Sequence, residues 1–287
     1  SRMTRVRVAR SASSSPPAPG RVRAAGALAA IIAAGALGAC AGDSGGLDPA
    51  TPPAAAVVTA VEPAVVIPGS VLVLRGRNFS GAASHVMVLT GTREAGAAAG
   101  REVSLERTLR VVDVQRAELD LDSAAMDKLG GEGRLAARIA IRSSNRYGQT
   151  TGAERDVKLE LKRHLTPTLD DVGDGLIHLD SRVVIRASGL LLGGNEGTTR
   201  AILEGCFLPA GTPGPCKDSG SAVKVEVPLL APPAGSTDRS RGELAFSPAL
   251  VGIHPGSLQG TLRLANVHGD GSRRLSASRS VSFQLQR

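Results

Sequence analysis

The chain has 287 residues and a formal net charge of +8, with 34 Lys and Arg against 26 Asp and Glu. The excess suggests a nucleic-acid partner until it is located: six Arg and no acid precede Cys40, which leaves 28 basic and 26 acidic groups, a net of +2, and no electrostatic reason to seek a phosphate backbone. One Tyr, four Phe and no Trp argue against sites that rely on stacking bases or sugars, and leave a core built from Val, Leu, Ile and Ala.

The N-terminal part reads as a secretory signal. Arg2, Arg5, Arg7, Arg10, Arg21 and Arg23 precede an Ala/Gly-rich apolar run, Ala24 to Ala39, that is shorter than the ~20 residues needed to cross a bilayer. Its end, Leu37-Gly38-Ala39-Cys40, resembles the bacterial lipobox. The resemblance implies that residues 1–39 are removed and that Cys40 is acylated, so that a lipid anchor holds the protein to a membrane of the cell envelope. The competing reading is an uncleaved membrane anchor. Ala41, not Asp, follows Cys40, and by analogy with lipoprotein sorting this implies the outer membrane. Residues 40–56 read as a flexible tether of Gly, Ser, Pro, Ala and Thr. Within it, Gly42-Asp43-Ser44-Gly45-Gly46 spells the nucleophile loop of trypsin-like proteases, but no upstream barrel supplies the His and Asp, and the string reads as chance in a Gly/Ser-rich linker.

Beyond the tether the sequence repeats itself. Ser70-Val71-Leu72-Val73-Leu74-Arg75-Gly76 matches Ser181-Arg182-Val183-Val184-Ile185-Arg186-Ala187, each after a Pro-marked start. In the same order, Glu118–Leu121 matches Glu243–Phe246, Ile139–Ile141 matches Leu262–Leu264, Asn145–Gly148 matches Asn266–Gly269, and Val157–Leu161 matches Val281–Leu285. The alternating apolar residues predict strands with one buried face. Ser123–Leu129 predicts one or two helical turns capped by Ser123 or Asp122, and Pro248 and Pro255 limit any helix at the matching place of the second unit. The fold expected is all-β: two tandem immunoglobulin-like β-sandwiches, 57–163 and 164–287. The predicted core is Val71, Val73, Leu119, Ile139, Ile141, Leu159 and Leu161 in the first unit. In the second it is Val183, Ile185, Leu244, Leu262, Leu264, Phe283 and Leu285.

Pro63, Pro68-Gly69 and the run to Gly76-Arg77-Asn78-Phe79-Ser80-Gly81 resemble the opening of an IPT/TIG immunoglobulin-like domain, and Asn145–Gly148 and Asn266–Gly269 fit that family's turn before the closing strand. The second unit departs from the pattern, with Ala187 for the Gly and Gly189-Leu190 for Asn-Phe. The resemblance implies a binding or spacing module without catalysis or cofactor. The partner expected is an envelope protein or polymer; the alternative is an accessory subunit of a polysaccharide-processing or export complex.

Few residues carry chemistry. Cys206 and Cys216 flank a segment rich in Pro and Gly, and in an exported chain they predict a disulfide. That loop reads as an insertion absent from the first unit, and is either a recognition surface or a stabilised insertion. Asp170, Asp174 and Asp180 are candidate ligands of a surface calcium site, against the plainer reading of an acidic turn, because Val172 stands at the third position of a calcium loop and Ser181 at the twelfth, where a bidentate Glu is needed. His178 and Asp180 are expected on one strand face. His85, His164, His254 and His268 are scattered singly and are expected at surfaces or turns. Gly193–Gly197 is expected to be a hairpin turn. No nucleophile and base pair up in the sequence.

Overall fold

The computed structural model describes residues 51–173, 175–246 and 254–287. The signal peptide, Cys40, Gly42–Gly46, most of the tether, Asp174 and Pro248 lie outside them. In chain order the first half forms β1 (Val57–Glu62), β2 (Val65–Val66), β3 (Ser70–Arg77), β4 (Ser84–Arg93), β5 (Glu102–Thr108), β6 (Arg110–Asp113), β7 (Arg116–Leu121), α1 (Ser123–Lys128), β8 (Gly133–Asn145), β9 (Gly148–Thr151) and β10 (Arg155–Leu161). The second half forms β11 (Thr168–Val172), β12 (Gly175–His178), β13 (Arg182–Ser188), β14 (Gly197–Pro209), α2 (Cys216–Ser219), β15 (Ser221–Pro228), β16 (Arg241–Ala245), β17 (Gly256–His268), β18 (Arg273–Leu275) and β19 (Arg279–Gln286).

In the first half a sheet in the order β1-β3-β7-β6 packs on a sheet in the order β2-β10-β8-β4-β5, with β9 on β8. In the second half β11-β13-β16 packs on β12-β19-β17-β14-β15, with β18 on β17. The opening segment is divided the same way in both. β1 and β11 run antiparallel to β3 and β13 in one sheet, while β2 and β12 run parallel to the closing strands β10 and β19 in the other. These are two tandem immunoglobulin-like β-sandwiches.

The Gly76-x-Asn78-Phe79 string has a physical explanation. A Cβ on Gly76 would lie 1.9 Å from the Val57 carbonyl oxygen, so β1 and β3 meet there only because the side chain is missing. Asn78 takes φ +67°, a left-handed conformation that Asn tolerates better than most residues, and its amide donates to Ala55 O at 2.9 Å. Phe79 then turns into the core. In the second sandwich Gly189, at φ +68°, takes the left-handed position and Leu190 the buried one, so the departures seen in sequence keep the same turn.

All seven core residues expected in the second sandwich are in its core, as are five of the seven in the first. Val71 and Val73 are corrected: Leu72 and Leu74 enter the core, Val71 is half-buried, and Val73 is buried outside the cluster. All four of Val71–Leu74 are apolar, so alternation could not choose the face. The helix forms as expected, with Asp122 Oδ1 accepting from the Ala125 N–H at 2.6 Å.

Strand register extends the repeat. Leu89 on β4 lies opposite Ile139, and Leu203 on β14 lies opposite Leu262. Along these strands Gly91 corresponds to Gly205, each pressed against the backbone of the next strand, and Arg93 corresponds to Phe207. The buried pair His85–Ser143, 2.8 Å apart, corresponds to Thr199–Asn266, 2.7 Å apart. This corrects the Asn-x-x-Gly match. Asn145 closes a turn with φ +149° at Gly148, but Asn266 is a buried strand residue, and its hairpin turns at residues 269–272. The tether is also corrected at its end. Pro53 and Ala56 are buried, and Thr150 Oγ1 and the Asn145 amide donate to Pro53 O and Thr51 O, so residues 51–56 lie against the first sandwich.

Candidate functional site

The sandwiches meet through a buried polar latch. Residues 193–197 were expected to form a hairpin turn; they instead form a short 3-10 turn that carries the chain from β13 to β14, between the two sheets. The turn aims Glu196 inward, where it is 1% exposed. Arg239, on the segment between β15 and β16, meets it with both amino groups, Nη1 to Oε2 at 2.8 Å and Nη2 to Oε1 at 2.5 Å. Ser70, at the start of β3 in the first sandwich, donates its hydroxyl to Glu196 Oε1 at 2.5 Å and accepts the Ile67 N–H at 2.9 Å. Arg239 spans the junction, donating from Nε to Val65 O on one side and from Nη1 to Leu190 O on the other. Beside the latch, Ile67, Leu165 and Leu191 form a small apolar cluster of their own.

The connecting segment is held by side chains of β17. The Asn266 amide donates to Leu165 O and to Gly189 O, both at 2.8 Å, while its oxygen accepts from Thr199. His268 Nε2 accepts the Leu165 N–H at 2.9 Å, so the proton belongs on Nδ1, which faces Ser272 O at 3.3 Å. His164 stacks edge-on against His268 at 4.9 Å and donates to Asp270 Oδ2 at 2.8 Å. Burial lowers the His268 pKa, and hydrogen bonds from His164 and Ser272 hold the Asp270 carboxyl well below the usual carboxylate range.

Over this junction opens a cleft of about 500 Å³ whose walls include Asp122, Asp127, Glu132, Arg163, His164 and Asp270. Most of its carboxylates already have internal work: Asp122 caps α1, Glu132 accepts the Arg163 N–H at 2.8 Å, and Asp270 holds His164. Ser70 is fully buried with its hydroxyl committed as donor and acceptor, which removes it as a nucleophile.

The residues singled out in the sequence do not converge here. Cys206 and Cys216 are bonded at the far end of β14, S–S 2.08 Å and Cα–Cα 5.9 Å. Their loop, residues 210–220, stands where residues 94–101 join β4 to β5; it is longer than that connection and adds α2 and the disulfide. Asp170 lies on β11 and Asp180 in the turn after β12 at φ +70°, so His178 and Asp180 do not share a strand face. Among the described residues no three His, Cys, Asp or Glu side chains form a metal-binding group. His85 and His268 are buried, not at the surface, because each has hydrogen-bond partners for both ring nitrogens. Sequence reasoning missed the roles of Glu196, Arg239 and Ser70, and took Asn266 for a turn residue. The only local signal was a carboxylate set among glycines, which reads as a solvated turn.

No family model matches the chain, and no curated protein matches it. Among solved structures it is similar to the chicken CNTN1 FN1–FN3 domains, at 9% identity over 82% of this chain and 66% of that one, TM-score 0.30. It is also similar to SGBP-B of the Bacteroides ovatus mixed-linkage glucan utilization locus, solved with a mixed-linkage heptasaccharide, at 10% identity over 80% and 44%, TM-score 0.29. Murine CEACAM1b aligns at 11% identity over 79% and 99%, TM-score 0.20. The chain spans about two thirds of the first structure and less than half of the second. At these scores the likenesses carry no functional argument.

Proposed function

We propose that this chain is a lipid-anchored protein of the bacterial envelope, in which two immunoglobulin-like sandwiches act as a non-catalytic binding or scaffolding module. The signal 1–39 would be removed, Cys40 acylated, and a tether would carry the sandwich pair, divided near 163/164, away from the outer membrane. The observation that carries the reading is the Ser70–Glu196–Arg239 latch, since a buried bidentate ion pair of the second sandwich that bonds to Ser70 and to Val65 O of the first suits a fixed two-domain platform better than two independent beads. The left-handed turn through Gly76, Asn78 and Phe79 supports an IPT/TIG-like first sandwich. The Cys206–Cys216 loop, with Lys217 and Asp218 exposed, is the recognition surface we favour.

Two measurements test this. Feeding cells an alkyne fatty acid should label the wild type and leave Cys40→Ser unlabelled; an unlabelled wild type overturns the anchor. Crosslinking in intact envelopes should capture the same partner protein or polymer repeatedly, and Lys217→Ala with Asp218→Ala should weaken capture. Undiminished capture moves recognition away from the loop, and no reproducible partner overturns the binding role.

A further inference from the structure

The repeat sets an unusual comparison at the end of the first sandwich. Arg93 on β4 lies opposite Leu135, and Phe207 on β14 lies opposite Leu258, at corresponding places in the two cores. Each side chain lies over a glycine that opens the next strand. A Cβ on Gly133 would come within 2.5 Å of Arg93 Nη2, and one on Gly256 within 2.9 Å of the Phe207 ring. The fold therefore offers an apolar slot, and the second sandwich fills it with a phenyl ring. The first fills it with a guanidinium that is 1% exposed.

That guanidinium is poorly satisfied. Nη2 reaches the backbone oxygens of Glu132 and Ala95, but Nε and Nη1 have no hydrogen-bond partner among the described residues. No carboxylate among those residues forms an ion pair with it, although burying an uncompensated charge costs several kcal/mol. The surroundings are largely backbone: Gly96 and Gly133 approach the guanidinium and Gly130 its stem, beside the 94–101 loop, whose Ala95 carbonyl accepts from Nη2. Gly96, Gly130 and Gly133 all have positive φ, so larger residues are disfavoured around the slot.

We propose that Arg93 is the centre of a site for one compact monovalent anion of the chloride class, bound beside the 94–101 loop. An anion supplies both what the unpaired donors lack and the charge that no side chain provides; a water would supply only the first. The near-complete burial selects a small ion over a polymer carboxylate. The corresponding slot in the second sandwich holds no charge and takes none.

The test uses the full chain, with chloride exchanged against gluconate at constant ionic strength. The wild type should broaden the ³⁵Cl resonance saturably. Arg93→Met and Arg93→Phe, the latter installing the second sandwich's residue, should abolish that broadening, while Arg101→Met, on the exposed part of the same loop, should keep it. No saturable broadening in the wild type, or broadening retained in either Arg93 variant, overturns the site. If neither variant folds, crystals of the wild type grown in bromide decide: an anomalous peak against the Arg93 guanidinium supports the site, and its absence there overturns it.

Discussion

Arg239 grips Glu196 with both of its amino nitrogens, Nη1 to Oε2 at 2.8 Å and Nη2 to Oε1 at 2.5 Å, although 43 residues separate them in the chain. Their side chains are 10% and 2% exposed, so water screens the pair very little. Such a pair is not itself proof of stability, because removing two charges from water is expensive. Through Ser70 and Val65 O it ties the second sandwich to the first.

Glu196→Gln should therefore destabilise the protein by about 3–5 kcal/mol, since it leaves Arg239 charged and buried without its carboxylate. The double variant Glu196→Leu with Arg239→Met should recover most of that stability while loosening the junction. Urea unfolding measures the first effect, and small-angle scattering the second. A loss below about 1 kcal/mol for Glu196→Gln would mean the pair behaves as a screened surface bridge.

Acid should weaken the junction in two windows. His268 is held neutral by burial and by the Leu165 N–H that its Nε2 accepts. Its folded pKa is lowered, so the unfolded chain binds the proton more readily; the stabilisation is present above an unfolded value of about 6.5 and is lost as pH falls through the folded value. Asp270 is also lowered, so its contribution is present above about 3.9 and disappears only in stronger acid. Denaturation midpoints followed from pH 8 to 5 should fall for the wild type and fall less for His268→Gln. Parallel curves would remove His268 from the account.

The disulfide closes a loop with a sequence separation of 10. In the chain-entropy view, closure of a loop this size is worth about 2–3 kcal/mol. Cys206→Ala with Cys216→Ala should cost about that much, read by denaturant unfolding. Mass measurement of the unreduced, unfolded wild type should find neither thiol free to alkylate. Two alkylated thiols at positions 206 and 216 would refute the bond.

Ile141 is 1% exposed in the first core, and Ile141→Ala should cost about 2–5 kcal/mol through transfer and cavity terms. The latch makes the consequence wider than one sandwich. Amide exchange in β17 and β19 should quicken along with that in β8. A second sandwich whose protection is unchanged would show that the junction transmits nothing.

Much of this architecture is written locally in the chain. Period-two alternation, the Gly76-x-Asn78-Phe79 turn, the Asp122 cap and the Cys206/Cys216 spacing all depend on backbone conformation or near neighbours, and a linear reading recovers them. Alternation failed where it carries no information, along the four apolar residues Val71–Leu74. The match of Asn266 to Asn145 failed because an Asn three residues before a Gly reads as a turn whether its side chain faces solvent or is buried against Leu165 O and Gly189 O. The latch lay wholly beyond local reading. Ser70, Glu196 and Arg239 come from one strand start, one glycine-rich turn and one connecting segment, and each by itself is an ordinary polar surface residue. Only packing the two sandwiches together excluded water from the three. Low dielectric then made a partner obligatory for each of them, and that condition arises from the tertiary structure alone.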